Sequence, residues 1–266
     1  MHQNYDAPIK VKLKVLHACL YSSVLYNCET WGNVNVKDLE KQYCATLKYI
    51  LGIRNNACNE FPYIELGLPT LHSLIQSRQH KFYCNIIKNR DWPLLRYIVN
   101  QGRLSKCNFI MYYDKLVNMT DDPESFKTES LRKLREDVTR KALAGRSRYV
   151  KYMEINPALL KPNFIYDNYV PTPKLRALTK LRTSCHNLAI EQGRHVRSKK
   201  PREERLCHCN EIEDEEHFVM KCHSYDHVRK PFIGHLPDAR LPDILQMNFA
   251  PEFIEKLVKE RRLYAT

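Results

Sequence analysis

A chain of 266 residues with 43% hydrophobic content can fill at least one sizeable core, which excludes general disorder. Its 43 Lys and Arg against 30 Asp and Glu leave a net charge of +13, which favours a polyanionic partner, nucleic acid ahead of anionic membrane, through release of condensed counterions. Seven glycines in the whole chain cannot supply the closely spaced glycines of a dinucleotide fingerprint or a P-loop, so nucleotide binding of those kinds is excluded.

Residues 13–31 place Leu13, Leu16, Leu20, Val24 and Trp31 at three- and four-residue steps, which predicts one amphipathic helix stopped by Gly32 and Asn33. Lys10, Lys12 and Lys14 ahead of the uncharged run 15–28 resemble a secretory leader, but polar residues dilute the run and no small-residue cleavage site follows. A second helix is expected over 36–51, with Leu39, Tyr43, Leu47 and Ile50 on one face and Gly52 as its C-terminal cap. A third begins after Pro69 and carries Leu71, Leu74, Ile75, Phe82 and Ile86. Shorter helices are expected over 94–100 and 105–117, a turn at Asp121-Asp122-Pro123-Glu124, and a long basic helix over 128–152.

Residues 156–173 hold four of the fourteen prolines and no clean period, and so read as an extended linker between two regions. Beyond it, Leu175, Leu178, Leu181, Cys185 and Leu188 form the apolar stripe of one further helix, with Arg176 and Lys180 on its opposite side. The tail 241–264 reads as one or two helices ending in basic residues, and no stretch alternates like a strand.

Ten cysteines would suit a disulfide scaffold by count, yet Cys19, Cys28, Cys44, Cys84, Cys107 and Cys185 stand singly in helical segments, as small buried hydrophobes do, which points to a reducing intracellular compartment, nuclear or cytoplasmic. The grouped ones carry the chemistry: Cys207-x-Cys209, seven residues, His217, four residues, Cys222. Three thiolates and an imidazole suit tetrahedral zinc, and four protein ligands make a closed, structural site. The His-x4-Cys half has zinc-knuckle spacing, whereas Cys-x-Cys is one residue shorter than a knuckle's. A knuckle that has lost its metal and ordinary buried cysteines stand beside zinc as alternatives. His208 and His223 read as exposed histidines, and residues 211–216 as an acidic loop unsuited to phosphate.

Residues 174–205 contain ten Lys or Arg against three Glu, a net of +7 that marks this stretch as the expected nucleic-acid contact. The candidates are Arg176, Lys180, Arg182, Arg194, Arg197, Lys199, Lys200, Arg202 and Arg205.

Taken together, Arg182-x3-His186-x-Leu188-x-Ile190-Glu191-x-Gly193-Arg194, Glu204-Arg205-x-Cys207, Glu213-Asp214-Glu215-x-His217-Phe218 and Cys222-x2-Tyr225 resemble the C-terminal segment of LINE-type, non-LTR retrotransposon polyproteins. Upstream, the run Leu20 through Gly32, then Leu47-Lys48-Tyr49-Ile50-Leu51-Gly52 and Glu65-Leu66-Gly67-Leu68-Pro69, resemble the start of the reverse-transcriptase thumb in that family. The resemblance implies a non-catalytic region that binds template RNA or target DNA within an RNA-directed DNA polymerase. Asp121-Asp122 lacks the preceding aromatic of the polymerase turn, and Pro237-Asp238 and Pro242-Asp243 lack the acidic-x-Lys partner of a restriction-like nuclease, so no catalytic residue is expected.

The expected fold is mainly α: a helical thumb-like region at 1–155, the linker at 156–173, and a small zinc-stapled helical domain at 174–266. The expected partner is nucleic acid, RNA or DNA, and not a membrane. The alternative is an inert or protein-binding retrotransposon remnant without metal.

Overall fold

The computed structural model describes residues 7–89, 91–166, 170–195 and 199–264; Arg197, a candidate phosphate contact, lies outside the described residues. Among those described, the chain is mainly α-helical with no strand, and a single antiparallel bridge joins Leu206 to Ile212. No described helix is long and apolar enough to cross a membrane.

The expected first helix is shorter than its pattern. Helix α1 (Ile9–Cys19) passes into a π turn over Leu20–Val24, where Leu25 N–H reaches back to Leu20 O at 2.8 Å. Ser22 Oγ donates to Ala18 O at 2.8 Å, a local competitor of the helix ladder, and Asn27 then turns left-handed at φ 54°. Helix α2 (Lys37–Leu51) matches its expected span and ends on Gly52 at φ 70°, where a residue without Cβ is favoured. Next come α3 (Glu60–Leu66), with Pro62 tolerated in its first turn, and α4 (Leu71–Lys88), capped by the Thr70 hydroxyl.

Helices α5 (Pro93–Leu104) and α6 (Asn108–Met119) pack on α4. The long basic helix expected over 128–152 is two: α7 (Ser125–Leu143) and α8 (Ser147–Ile155) pack against each other across a reversal at Gly145, φ 73°. The helix expected across 175–188 is also broken. Helix α9 (Thr172–Arg182) stops where Ser184 takes φ 52°, and α10 (Ala189–His195) follows. Helices α11 (Asp226–Ile233), α12 (Leu241–Ile244) and α13 (Ala250–Leu263) complete the chain.

One apolar core runs from Ile9 and Leu13 of α1 through Leu47 and Leu51 of α2 and Leu178 of α9 to Phe253 and Leu257 of α13. The expected linker therefore does not separate two cores. Ile155 and Ile165 lie buried in the shared core, and the Asn156 side chain closes a turn by donating to Leu160 O at 2.9 Å and accepting from Leu160 N–H at 3.2 Å. Helix α9 packs along α13 and against α2, and α12 packs on α8, so elements from both sides of 156–173 meet directly.

A charged pair lies in this junction. Arg182 and Glu65 are both 0% exposed, with Arg182 Nε and Nη2 each 3.0 Å from a Glu65 oxygen. Tyr152 Oη donates to the same carboxylate at 2.8 Å. A bidentate fork with a third donor is the geometry that offsets the desolvation of two buried charges.

Candidate metal centre and cationic surface

The Cys207 to Cys222 segment is folded by local hydrogen bonds. Cys207 N–H donates to Glu211 O at 2.7 Å, and Asn210, left-handed at φ 66°, donates to Cys207 O at 2.9 Å, so a tight turn brings Cys207 and Cys209 to one side. That turn is how a Cys-x-Cys pair converges despite its short spacing. Asp214 Oδ1 then accepts from His217 N–H at 2.9 Å and starts a π turn over His217–Lys221. Cys222 N–H closes it on His217 O at 2.8 Å. A π turn is wider than an α turn, so residues five apart, as His217 and Cys222 are, come nearer to the same side. Arg229 holds the end of the turn, Nε donating to Val219 O at 3.0 Å and Nη2 to Cys222 O at 2.8 Å.

The result is a group of four side chains that could hold a metal ion: ligating atoms of Cys207, Cys209, His217 and Cys222 all lie within 4.8 Å of one another. Cys222 Sγ is 3.8 Å from both Cys207 Sγ and Cys209 Sγ, and His217 Nε2 is 3.2 Å from Cys209 Sγ. His217 Nδ1 lies 2.9 Å from a Glu211 carboxylate oxygen, which leaves Nε2 as the nitrogen turned to the sulfurs. Burial, reinforced by Cys209 and Cys222, pushes the Cys207 thiol up to about 12, and burial raises that of Cys222, so both hold their protons at neutral pH until a cation displaces them. His208 is not one of the four, although its Nδ1 lies 3.3 Å from Cys207 Sγ; its ring stacks on Tyr264 at 4.5 Å, and His223 is exposed.

Beyond being acidic, the loop 211–216 is a set of engaged carboxylates, with Glu213 and Glu215 buried. Glu213 accepts from Arg261 Nε at 2.5 Å and from Ala189 N–H at 2.6 Å. Glu215 pairs with His186 Nε2 at 3.0 Å; burial works against its charge, but His186 and then Lys151 outweigh burial and bring the carboxyl down to about 2. Glu216 meets Lys221 at 2.7 Å and Asp214 meets Arg202 at 3.2 Å. The loop thus ties the cysteine segment to α8, α10 and α13.

The basic residues expected to act together separate into distinct roles. Arg182, bound to Glu65 with no exposure, is a core residue, and the expectation that it meets phosphate is corrected. Arg194 pairs with Glu191 at 2.5 Å. Arg205 crosses Gly193, where a Cβ would stand 2.7 Å from its Nε, and its guanidinium donates to Lys200 O and Ile190 O. Lys199, Lys200 and Arg202 are exposed. Arg176 and Lys180 instead line a cleft with Arg54 and Arg262, two cations from distant parts of the chain that the clustering of charge along 174–205 gave no reason to include. The isolated cysteines divide too: Cys28, Cys44 and Cys185 are buried as expected, whereas Cys19 and Cys107 are exposed, and every described cysteine is a free thiol.

Comparisons with protein families, with curated proteins and with solved structures find no match to this chain.

Proposed function

We propose that this chain is a non-catalytic nucleic-acid-binding region of the kind found at the C-terminal end of LINE-type retrotransposon reverse transcriptases, with structural zinc on Cys207, Cys209, His217 and Cys222. The observation that carries the reading is the spacing of those ligands. Two sulfurs bound tetrahedrally to one zinc at about 2.3 Å stand about 3.8 Å apart, and both close sulfur pairs here are at 3.8 Å. Four protein donors fill a tetrahedral zinc, and Glu211 on His217 Nδ1 is the outer partner such a ligand takes. The ion supplies rigidity, and no reaction is assigned to it. The chain's own cations then hold RNA or DNA phosphates, exposed Lys199 and Lys200 among them.

Elemental analysis of the purified chain tests this directly: one equivalent of zinc is expected, lost in Cys209→Ser. Binding of a labelled oligonucleotide should weaken steeply with added salt, and Lys199→Gln with Lys200→Gln should flatten that dependence. A folded, zinc-free protein indifferent to oligonucleotide would favour the protein-binding alternative. For that alternative α5 offers an exposed apolar face of Leu94, Tyr97, Ile98 and Leu104.

A further inference from the structure

A cleft of about 700 Å³ lies where the end of α2, one side of α9, the turn at 185–188 and the last turns of α13 meet. Its cations come from three separate segments: Arg54 from the loop after α2, Arg176 and Lys180 from α9, and Arg262 from α13. Among the described residues none that lines it is acidic, and Arg261, which also lines it, is paired with Glu213.

The positions of these cations are built in. Lys48 Nζ, buried at the end of α2, donates to Asn55 O, Ala57 O and Asn59 Oδ1 at 2.7 to 2.8 Å and so fixes the loop that carries Arg54. Arg54 Nη2 in turn donates to Asn187 Oδ1 at 2.5 Å across the cleft. Gly52 seats Arg176: a Cβ there would meet Arg176 Cδ at 2.7 Å, so the arginine stem lies directly over the glycine. Lys180 and Arg262 are exposed at the rim. Partial desolvation, followed by the charges of Arg176, Arg54 and Arg262, lowers the pKa of Lys180, the effect expected where like charges converge.

We infer that this cleft seats a backbone phosphate of a nucleic acid, held by Arg54, Arg176, Lys180 and Arg262. The inference rests on the nucleic-acid reading given above and assigns it a second contact, separate from the exposed lysines at 199 and 200. Among the described residues no Phe, Tyr or Trp lines the cleft, so the contact reads charge and not sequence. Because its cations come from α2, α9 and α13, it forms only when the shared core is complete.

The test is binding of a labelled single-stranded oligonucleotide of mixed sequence to the full chain over a salt series, with phosphatidylserine vesicles and inorganic phosphate as parallel probes. Arg262→Gln and Lys180→Gln should each weaken oligonucleotide binding roughly ten-fold and lower the salt slope by about one. Arg54→Lys should keep more affinity than Arg54→Gln, and inorganic phosphate should compete in the native chain but not in Lys180→Gln with Arg262→Gln. Both rim residues are exposed, so these variants should keep the native melting temperature. If they are folded and bind oligonucleotide with native affinity and slope, the cleft assignment is overturned while the functional reading survives on Lys199 and Lys200. If the native chain binds no oligonucleotide, both fall. Cleft-dependent binding to vesicles alone also overturns the assignment, since the anion is then a lipid headgroup.

Discussion

Two clamps hold this molecule, and they are opposite in kind. The Glu65–Arg182 pair is complete in itself: each charge compensates the other, Tyr152 adds a donor, and nothing from solution is required. The cysteine and histidine cluster supplies only ligand atoms, and burial raises the thiols of Cys207 and Cys222. One end of the fold is thus held by its own charges, and the other, on the proposed reading, on condition of a metal. The metal-free protein should then keep the junction of α3, α8 and α9 while losing definition around the π turn at His217–Lys221.

The largest effect should come from breaking the first clamp. Arg182→Ala leaves Glu65 charged in the core and should cost about 3–5 kcal/mol, read as a fall in the urea midpoint of the whole chain. Glu65→Leu with Arg182→Met should recover most of it; no recovery would mean that Arg182 acts through something other than this pair. The second effect concerns pH. The metal-free thiols of Cys207 and Cys222 are raised, and the metal takes thiolates, so zinc binding releases at least two protons. Affinity should then fall on acidification by about a hundred-fold per pH unit, measured by chelator competition either side of neutral pH. A flat profile would separate these cysteines from the metal.

Smaller again, Glu211→Ala removes the partner of His217 Nδ1 and should weaken zinc roughly ten- to a hundred-fold without unfolding the protein. Smallest, Lys199→Ala should shift folding stability by less than about 0.5 kcal/mol, since its side chain is exposed, which sets it apart from Arg182 in the same basic stretch.

What could be read in the chain beforehand follows the range of the interaction. Helices α2 and α4 announce themselves through Gly52 and Pro69 beside a clear apolar period, and the four candidate metal ligands lie within sixteen residues of one another. The break at Gly145 also carried a local mark, a glycine inside a helical pattern. Left-handed Asn27 and Ser184 carry none as strong, and tertiary packing overrides the helical period there. The roles of charged residues are set by distant partners. Glu213 is fixed by a cation 48 residues later, and Arg182 looks like a phosphate contact until Glu65, 117 residues earlier, is placed beside it. Arg54 and Arg262 join the cleft only through the docking of α2, α9 and α13.

The 117-residue separation of Glu65 from Arg182 also sets a schedule for synthesis. At ribosomal speeds of about 5–20 residues per second, Glu65 waits roughly 6 to 24 s for its countercharge. Tyr152 arrives first and offers the carboxylate a hydrogen bond but no charge. Until residue 182 has left the ribosome, the first helices hold an acid that their finished packing would bury, so they have reason to stay open. A nascent chain halted in that interval would carry its future core exposed, and would be the form of this protein most in need of a chaperone.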